Sequence, residues 1–170
     1  MIEFDNWSQL SVLDVSAIIT PVQLAMVSSD LEHFRLDDRE LRDSDIEILR
    51  NQQRLKRVEL TTATSLTNKT IESLVTLRSL EHLQITHRQS TTNAFAHLKN
   101  LPNLEHLSKR NSPRFSGNSL ALLDLTGFHS LNFDGCDLSP IRKEKMRNGD
   151  KHARGKIVET TGLPTARSTI

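Results

Sequence analysis

His33, Arg57, His82 and His106 follow one another at intervals of 24, 25 and 24 residues, a spacing that no single helix or strand supplies. Imidazole titrates near neutral pH, at ~6.5 when unperturbed, and guanidinium is always charged, so a column of such groups can hold anions or sense pH. It could also hold a metal, given enough ligands. His82 and His106 lack the third and fourth ligands that a stable zinc site needs, and His87, just past them, is badly placed to serve. No metal and no cofactor are expected. A nucleophile is harder still to build. Cys136 is the only cysteine, and His129, seven residues earlier, would have to fold back to act as its base. The chain contains no H-E-x-x-H, no G-x-S-x-G and no phosphate-cradling G-x-x-x-x-G-K. These residues read as recognition chemistry, and the chain as noncatalytic.

A second group of charges lies near the carboxyl end. Arg142, Lys143, Lys145, Arg147, Lys151, Arg154 and Lys156 could touch phosphates, whose contacts are electrostatic and blind to sequence. No aromatic residue lies among them, so the base stacking of a single-strand binder is absent. Nucleic-acid or anionic-surface binding through this segment is the alternative to recognition by the histidine column. The terminal Ser168-Thr169-Ile170 has the shape of a carboxylate docking at a sheet edge, but three residues carry little information.

The elements that must position the column are written in the apolar residues. Leu55-x-x-Val58-x-Leu60 is followed 25 residues on by Leu80-x-x-Leu83-x-Ile85, and 24 after that by Leu104-x-x-Leu107. Stepping by 24 in each direction gives Leu31-x-x-Phe34-x-Leu36, Trp7-x-x-Leu10-x-Val12 and Phe128-x-x-Leu131-x-Phe133-x-x-Cys136-x-Leu138. Between them, Ile71-x-x-Leu74-x-x-Leu77 and Phe95-x-x-Leu98-x-x-Leu101 have helical spacing. Each unit is expected to hold a short strand, a turn and a short helix or 3₁₀ segment. Helix starts are marked by Ser44-x-x-Glu47 as a capping box, by Asn68 or Thr67, and by Asn93 and Asn118.

Strand alternation points the residues three and five places after each start inward, and those two and four places after it to the opposite face. The second-place column is then Gln9, His33, Arg57, His82, His106 and Ser130. The fourth-place column is Ser11, Arg35, Glu59, Gln84, Ser108 and Asn132. Adjacent strands lie ~4.8 Å apart, so His82 and His106 become direct neighbours. One inward position is at odds with this pattern. Lys109 stands where other units have Leu36, Leu60, Ile85 and Phe133, and a buried unpaired lysine is costly. The strand is expected to end early or bulge there, before the polar run Ser108 to Arg114. The eighth-place residue, Asn or Cys in a regular unit, is Arg39, Ala63, Arg88 and Ser112 in the middle units, so their turns need other hydrogen-bond partners.

A period of 20 to 29 residues with L-x-x-L-x-L resembles a leucine-rich repeat. The chain looks like a bacterial-type leucine-rich repeat protein, in the manner of ribonuclease-inhibitor-like solenoids, over about residues 7 to 138. The resemblance implies an α/β solenoid with a curved parallel sheet on the concave side and short helices or 3₁₀ turns on the convex side. It also implies recognition, usually of a protein partner, on that sheet. Domain organisation follows: residues 1–138 form a solenoid of five to six degenerate repeats, and residues 139–170 a basic, disordered tail in which the pattern stops after Ser139-Pro140.

Composition agrees with a soluble module. Residues 1–140 hold 14 basic against 18 acidic residues, and residues 141–170 hold 8 against 3, which separates the two segments in kind. The lone cysteine allows no intramolecular disulfide. The acidic start Met1 to Trp7 lacks the basic and apolar regions of a signal peptide, so the sequons at Asn6 and Asn68 carry no weight. Val12 to Val27, the most apolar stretch, is broken by Asp14 and Pro21 and is shorter than the ~20 residues of a membrane span. A cytoplasmic protein with no membrane attachment is expected.

Overall fold

Alternation of apolar and polar residues over four or five positions makes a half-buried strand, and the chain repeats it at intervals too long for hairpins. The computed structural model describes residues 9–16, 22–23, 26–27, 29–86, 92–112, 127–136 and 156–158. Within them, β1 (Val12–Val15), β2 (His33–Asp37), β3 (Arg57–Thr61), β4 (His82–Thr86), β5 (His106–Arg110), β6 (Ser130–Asn132) and β7 (Lys156–Val158) form one sheet. Every pair is parallel, and the spatial order is the sequence order. The chain is an α/β protein in which each strand adds beside the last. Helix α1 (Asp43–Glu47) with a 3₁₀ turn at Ile48–Asn51 joins β2 to β3, and α2 (Asn68–Leu74) joins β3 to β4. Helix α3 (Thr92–Phe95), continued by a 3₁₀ turn at Ala96–Asn100, joins β4 to β5.

The pairing is in the expected register for β2 to β6, with His33 beside Arg57, Arg57 beside His82, His82 beside His106 and His106 beside Ser130. A recurring backbone arrangement fixes it. The carbonyl of Glu32 accepts from the N–H groups of both Lys56 and Arg57, and the same fork recurs at Lys56, Glu81 and Glu105. It is also present at Ser11, whose carbonyl accepts from Glu32 and His33. The first unit therefore starts at Leu10 and not at Trp7. Val12 pairs with His33 and Val15 with Leu36, which turns Leu13 inward at 6% exposure and leaves Val12 52% exposed. The expectation that Val12 points inward is corrected, whereas Leu10, now at the start of the unit, packs against the core half-buried. Leu10, Val12, Leu13 and Val15 satisfy the apolar pattern in either register, and only the neighbouring strand chooses between them.

Inward side chains build one continuous core: Phe34 and Leu36, Val58 and Leu60, Leu83 and Ile85, Leu107, then Leu131 and Phe133. Ile46, Leu49, Ile71, Leu74, Phe95 and Leu98 close it from the helical side. The helices begin where short polar residues meet free N–H groups, though not always where the spacing predicted. Asp45 Oδ2 accepts from the Arg42 N–H at 2.9 Å, so α1 starts a residue before Ser44 and the Ser44/Glu47 box is not used. Thr67 caps α2 by accepting from the Lys69 N–H at 3.3 Å. Asn93 lies inside α3, and Asn118 falls outside the described residues.

Side chains also tie each unit to the next. Asp43 accepts from the Thr67 N–H at 2.9 Å, from Thr67 Oγ1 at 2.6 Å and from Thr70 Oγ1 at 2.5 Å. Burial pushes its pKa up, and these bonds more than offset that, leaving it below the ordinary carboxylate value. Arg54 pairs with Asp30 at 2.8 Å and Lys56 with Glu32 at 3.1 Å, each 24 residues apart. Three of the turns after the strands share a further feature. Seven places after Leu55, Leu104 and Phe128, the backbone enters the left-handed region, at Thr62 (φ 62°), Asn111 (φ 52°) and Gly135 (φ 68°). A Cβ at Gly135 would come within 2.9 Å of Asn111 Oδ1 and 3.2 Å of Asn111 Cα, so the stacked turns leave no room for one. The next residue turns back toward the core, where Ala63 and Ser112 are buried and Cys136 is half-buried. Ala63 and Ser112 are small enough to turn in where a regular unit has Asn or Cys, whereas Arg39 at the same place of its unit stays exposed.

Two expectations about the later units are corrected. Lys109 neither ends nor bulges β5, which runs on to Arg110 with Lys109 beside Ile85 and the lysine wholly buried. The segment after Leu138 is not uniformly without structure. Lys156–Val158 pairs in register with Ser130–Asn132 as β7, the next parallel strand. Its unit would start at Arg154 and carry Glu159 at the fifth place, so the apolar pattern could not disclose it. Residues 137–155 and 159–170 lie outside the described residues.

Candidate functional site

The face of the sheet opposite the core carries two columns of polar side chains, held by the same alternation that buries their neighbours. Along β2 the burial runs exposed, buried, exposed, buried, so His33 and Arg35 stand on the open face with Phe34 and Leu36 beneath. Arg57, Glu59, His82, Gln84, His106, Ser108, Ser130 and Asn132 occupy the equivalent places on β3 to β6. The corrected first strand replaces Gln9 and Ser11 with Val12 and Asp14 in these columns. Ten sequence-predicted positions thus share one surface. They differ in what they meet there.

Over β1 to β3 the face is ionic. Glu59, expected to be exposed, is only 7% exposed because arginines cover it from two sides. Arg57 Nε donates to Glu59 Oε1 at 2.6 Å, and Arg35 Nε lies 3.7 Å from Glu59 Oε2. Arg35 also reaches Asp14 Oδ2 at 3.7 Å, a partner that the Trp7 register concealed. Two carboxylates and two guanidinium groups balance one another, and His33, Arg35, Arg57 and Glu59 help line a depression of about 190 Å³.

Over β4 to β6 the face changes character. The His82 and His106 rings are 5.6 Å apart between centroids and tilted by 32°, and the His129 ring lies 6.0 Å beyond His106 in the same tilted arrangement. His129 was missed as a member of this row because it stands one place before β6, off both columns. Its Nδ1 is 3.3 Å from Glu105 Oε2. His82 Nε2 is buried and meets no hydrogen-bond partner among the described residues. Burial holds the pKa of His82 below the usual imidazole value, helped by the Arg57 and His106 charges and opposed by Glu59. Gln84, Ser108 and Asn132 alongside supply amide and hydroxyl groups that can donate or accept.

The other sequence candidates lead elsewhere. Cys136 Sγ donates to the Lys109 carbonyl at 3.3 Å, and burial pushes the thiol pKa up, the opposite of nucleophile activation. No hydrogen bond joins it to His129 among the described residues. Of the basic positions near the carboxyl end, only Lys156 is described, as the first residue of β7. Among the described residues no group of three or more His, Cys, Asp or Glu side chains could hold a metal ion, and no helix is long and apolar enough to cross a membrane. On the helical side, Arg42, Glu47, Arg50, Lys69 and Glu72 help line an open groove of about 600 Å³ whose charges are of both signs. In comparisons with known proteins, no family model and no curated protein matches this sequence.

Proposed function

We propose that the chain is a leucine-rich-repeat-type solenoid serving as a noncatalytic protein-interaction module of the cytoplasm, and that it binds through the concave face of its sheet. The observation that carries this reading is the pair of polar columns in register across β2 to β6. A sheet face of parallel strands is normally covered by helices. Here the helices and 3₁₀ turns pack on the core side, and the columns on the other side are solvent-facing or half-buried, apart from Glu59 under its arginines. A broad, rigid polar surface of this kind suits a protein partner better than a small molecule, which needs a concave and largely apolar pocket.

The full chain, immobilised and exposed to the soluble proteins of its own cell, should capture a partner that a His82→Ala, His106→Ala chain retains at least roughly tenfold less well. Lys99→Ala, on the helical side, should retain it fully. Joint Arg142→Gln, Lys143→Gln, Lys145→Gln and Arg147→Gln substitution should also leave capture intact. Equal capture by the double histidine variant and the parent chain, with unchanged circular dichroism, would overturn the reading. Loss of capture in the tail variant alone would move the activity to the basic segment.

A further inference from the structure

Resting on that reading, we infer that the partner docks through an acidic segment whose carboxylates lie along Arg57, His82 and His106, and that this docking takes up protons. The two halves of the face make the case. Over β1 to β3, Asp14 and Glu59 pair with Arg35 and Arg57, and the buried Glu59 carboxylate is held by both arginines, while the Arg57 side chain stays 47% exposed at the border with β4. Over β4 to β6, the second-place and fourth-place columns hold His82, His106, Ser130, Gln84, Ser108 and Asn132. Not one of these is a carboxylate. A buried imidazole nitrogen without a partner, His82 Nε2, lies in this half and offers a ligand oxygen a hydrogen bond that nothing in the described protein makes.

The charged and titratable groups around His82 set the sign of the effect. From β3 it faces Arg57 and Glu59, and from β5 it faces His106, with His129 and its Glu105 partner beyond. On its own strand the flanking residue is Glu81, exposed at the strand entrance. In the free protein, burial, Arg57 and His106 disfavour a charge on His82. A carboxylate laid between Arg57 and His106 reverses the balance of local charge, and its negative field favours protonation of the His82 imidazole. By linkage, whatever raises the His82 pKa on binding makes binding tighter as pH falls. A basic segment would meet the same arginine and imidazoles with the opposite result.

The test uses the full chain and a fluorescein-labelled oligoglutamate, with oligolysine and oligoglutamine of equal length as controls, read by fluorescence anisotropy. Oligoglutamate should bind, about fivefold or more tightly at pH near 6 than at pH near 7.5, and the controls should not. His82→Gln with His106→Gln should bring the two affinities together, and Lys99→Ala should leave their ratio unchanged. No binding near pH 6, or binding whose pH ratio survives the double substitution, would overturn the inference; the second outcome would assign the anion affinity to the basic residues 142 to 156. If the double variant still loses the captured cellular partner while oligoglutamate binds at neither pH, the interaction face stands and the acidic partner fails.

Discussion

Lys109 has 0% exposure at a place where the adjacent strand puts Ile85 and the next unit puts Phe133. Its amine sits 5.4 Å from the centre of the Phe95 ring, and its pKa falls from 10.5 to about 7 because burial disfavours the charge, with Cys136 opposing weakly. The four methylenes fill the column as an apolar residue would, and the amine holds its proton far less tightly than a solvated lysine does. This is why the strand survives a residue that the spacing marked as a break. The fall from 10.5 to about 7 corresponds to a cost of roughly 4 kcal/mol to folding at neutral pH. A depressed lysine contributes in full above the unfolded value, and the contribution is lost as pH falls toward the folded value. Lys109→Met should therefore stabilise by about 2 to 4 kcal/mol at pH near 7 in urea denaturation. The parent chain should recover about half of this by pH near 9, narrowing the gap. A variant less stable than the parent at pH near 7 would show that the amine is worth more than its burial costs.

At the scale of the element, β1 separates what periodicity can settle from what it cannot. Its apolar residues fit two registers three places apart, and the fork at the Ser11 carbonyl selects the one that buries Leu13. Leu13→Ala should cost about 2 kcal/mol or more, whereas Val12→Ala, at a position 52% exposed, should change stability by less than ~0.5 kcal/mol. Reversal of that order in chemical denaturation would restore the Trp7 start and remove Asp14 from the ionic network. The columns over β2 to β6 were legible in the sequence because both flanking units repeat the same apolar pattern, so an error in one strand would have broken the next. Glu59 was placed on the right face with the wrong exposure. Its cover comes from Arg57 two residues along the strand and Arg35 one strand away, and alternation says nothing about how long side chains fold over a neighbour.

At the scale of the whole molecule, each strand pairs only with the strands before and after it in sequence, so stability should pass from unit to unit. Strands flanked on both sides by well-packed units gain most. Amide hydrogen exchange should be slowest in β3 and β4 and faster toward β1 and β6. Equal protection from β1 to β6 would mean that the sheet opens as one cooperative block. Side-chain bonds at 24-residue spacing, such as Arg54 with Asp30 and Thr67 with Asp43, add to this nearest-neighbour coupling.

The sequence by itself determined the period, the inward and outward faces of β2 to β6 and the adjacency of His82 with His106. All three follow from local alternation and a constant interval, which survive without knowledge of any neighbour. Tertiary structure decided the register of β1, the burial of Lys109, the cover over Glu59, the place of His129 in the imidazole row and the existence of β7. Each of these depends on energies set between units. A lysine's proton depends on the cavity around it, a carboxylate's exposure on side chains one strand away, and an edge strand such as Lys156–Val158 on backbone hydrogen bonds that almost any side chains permit.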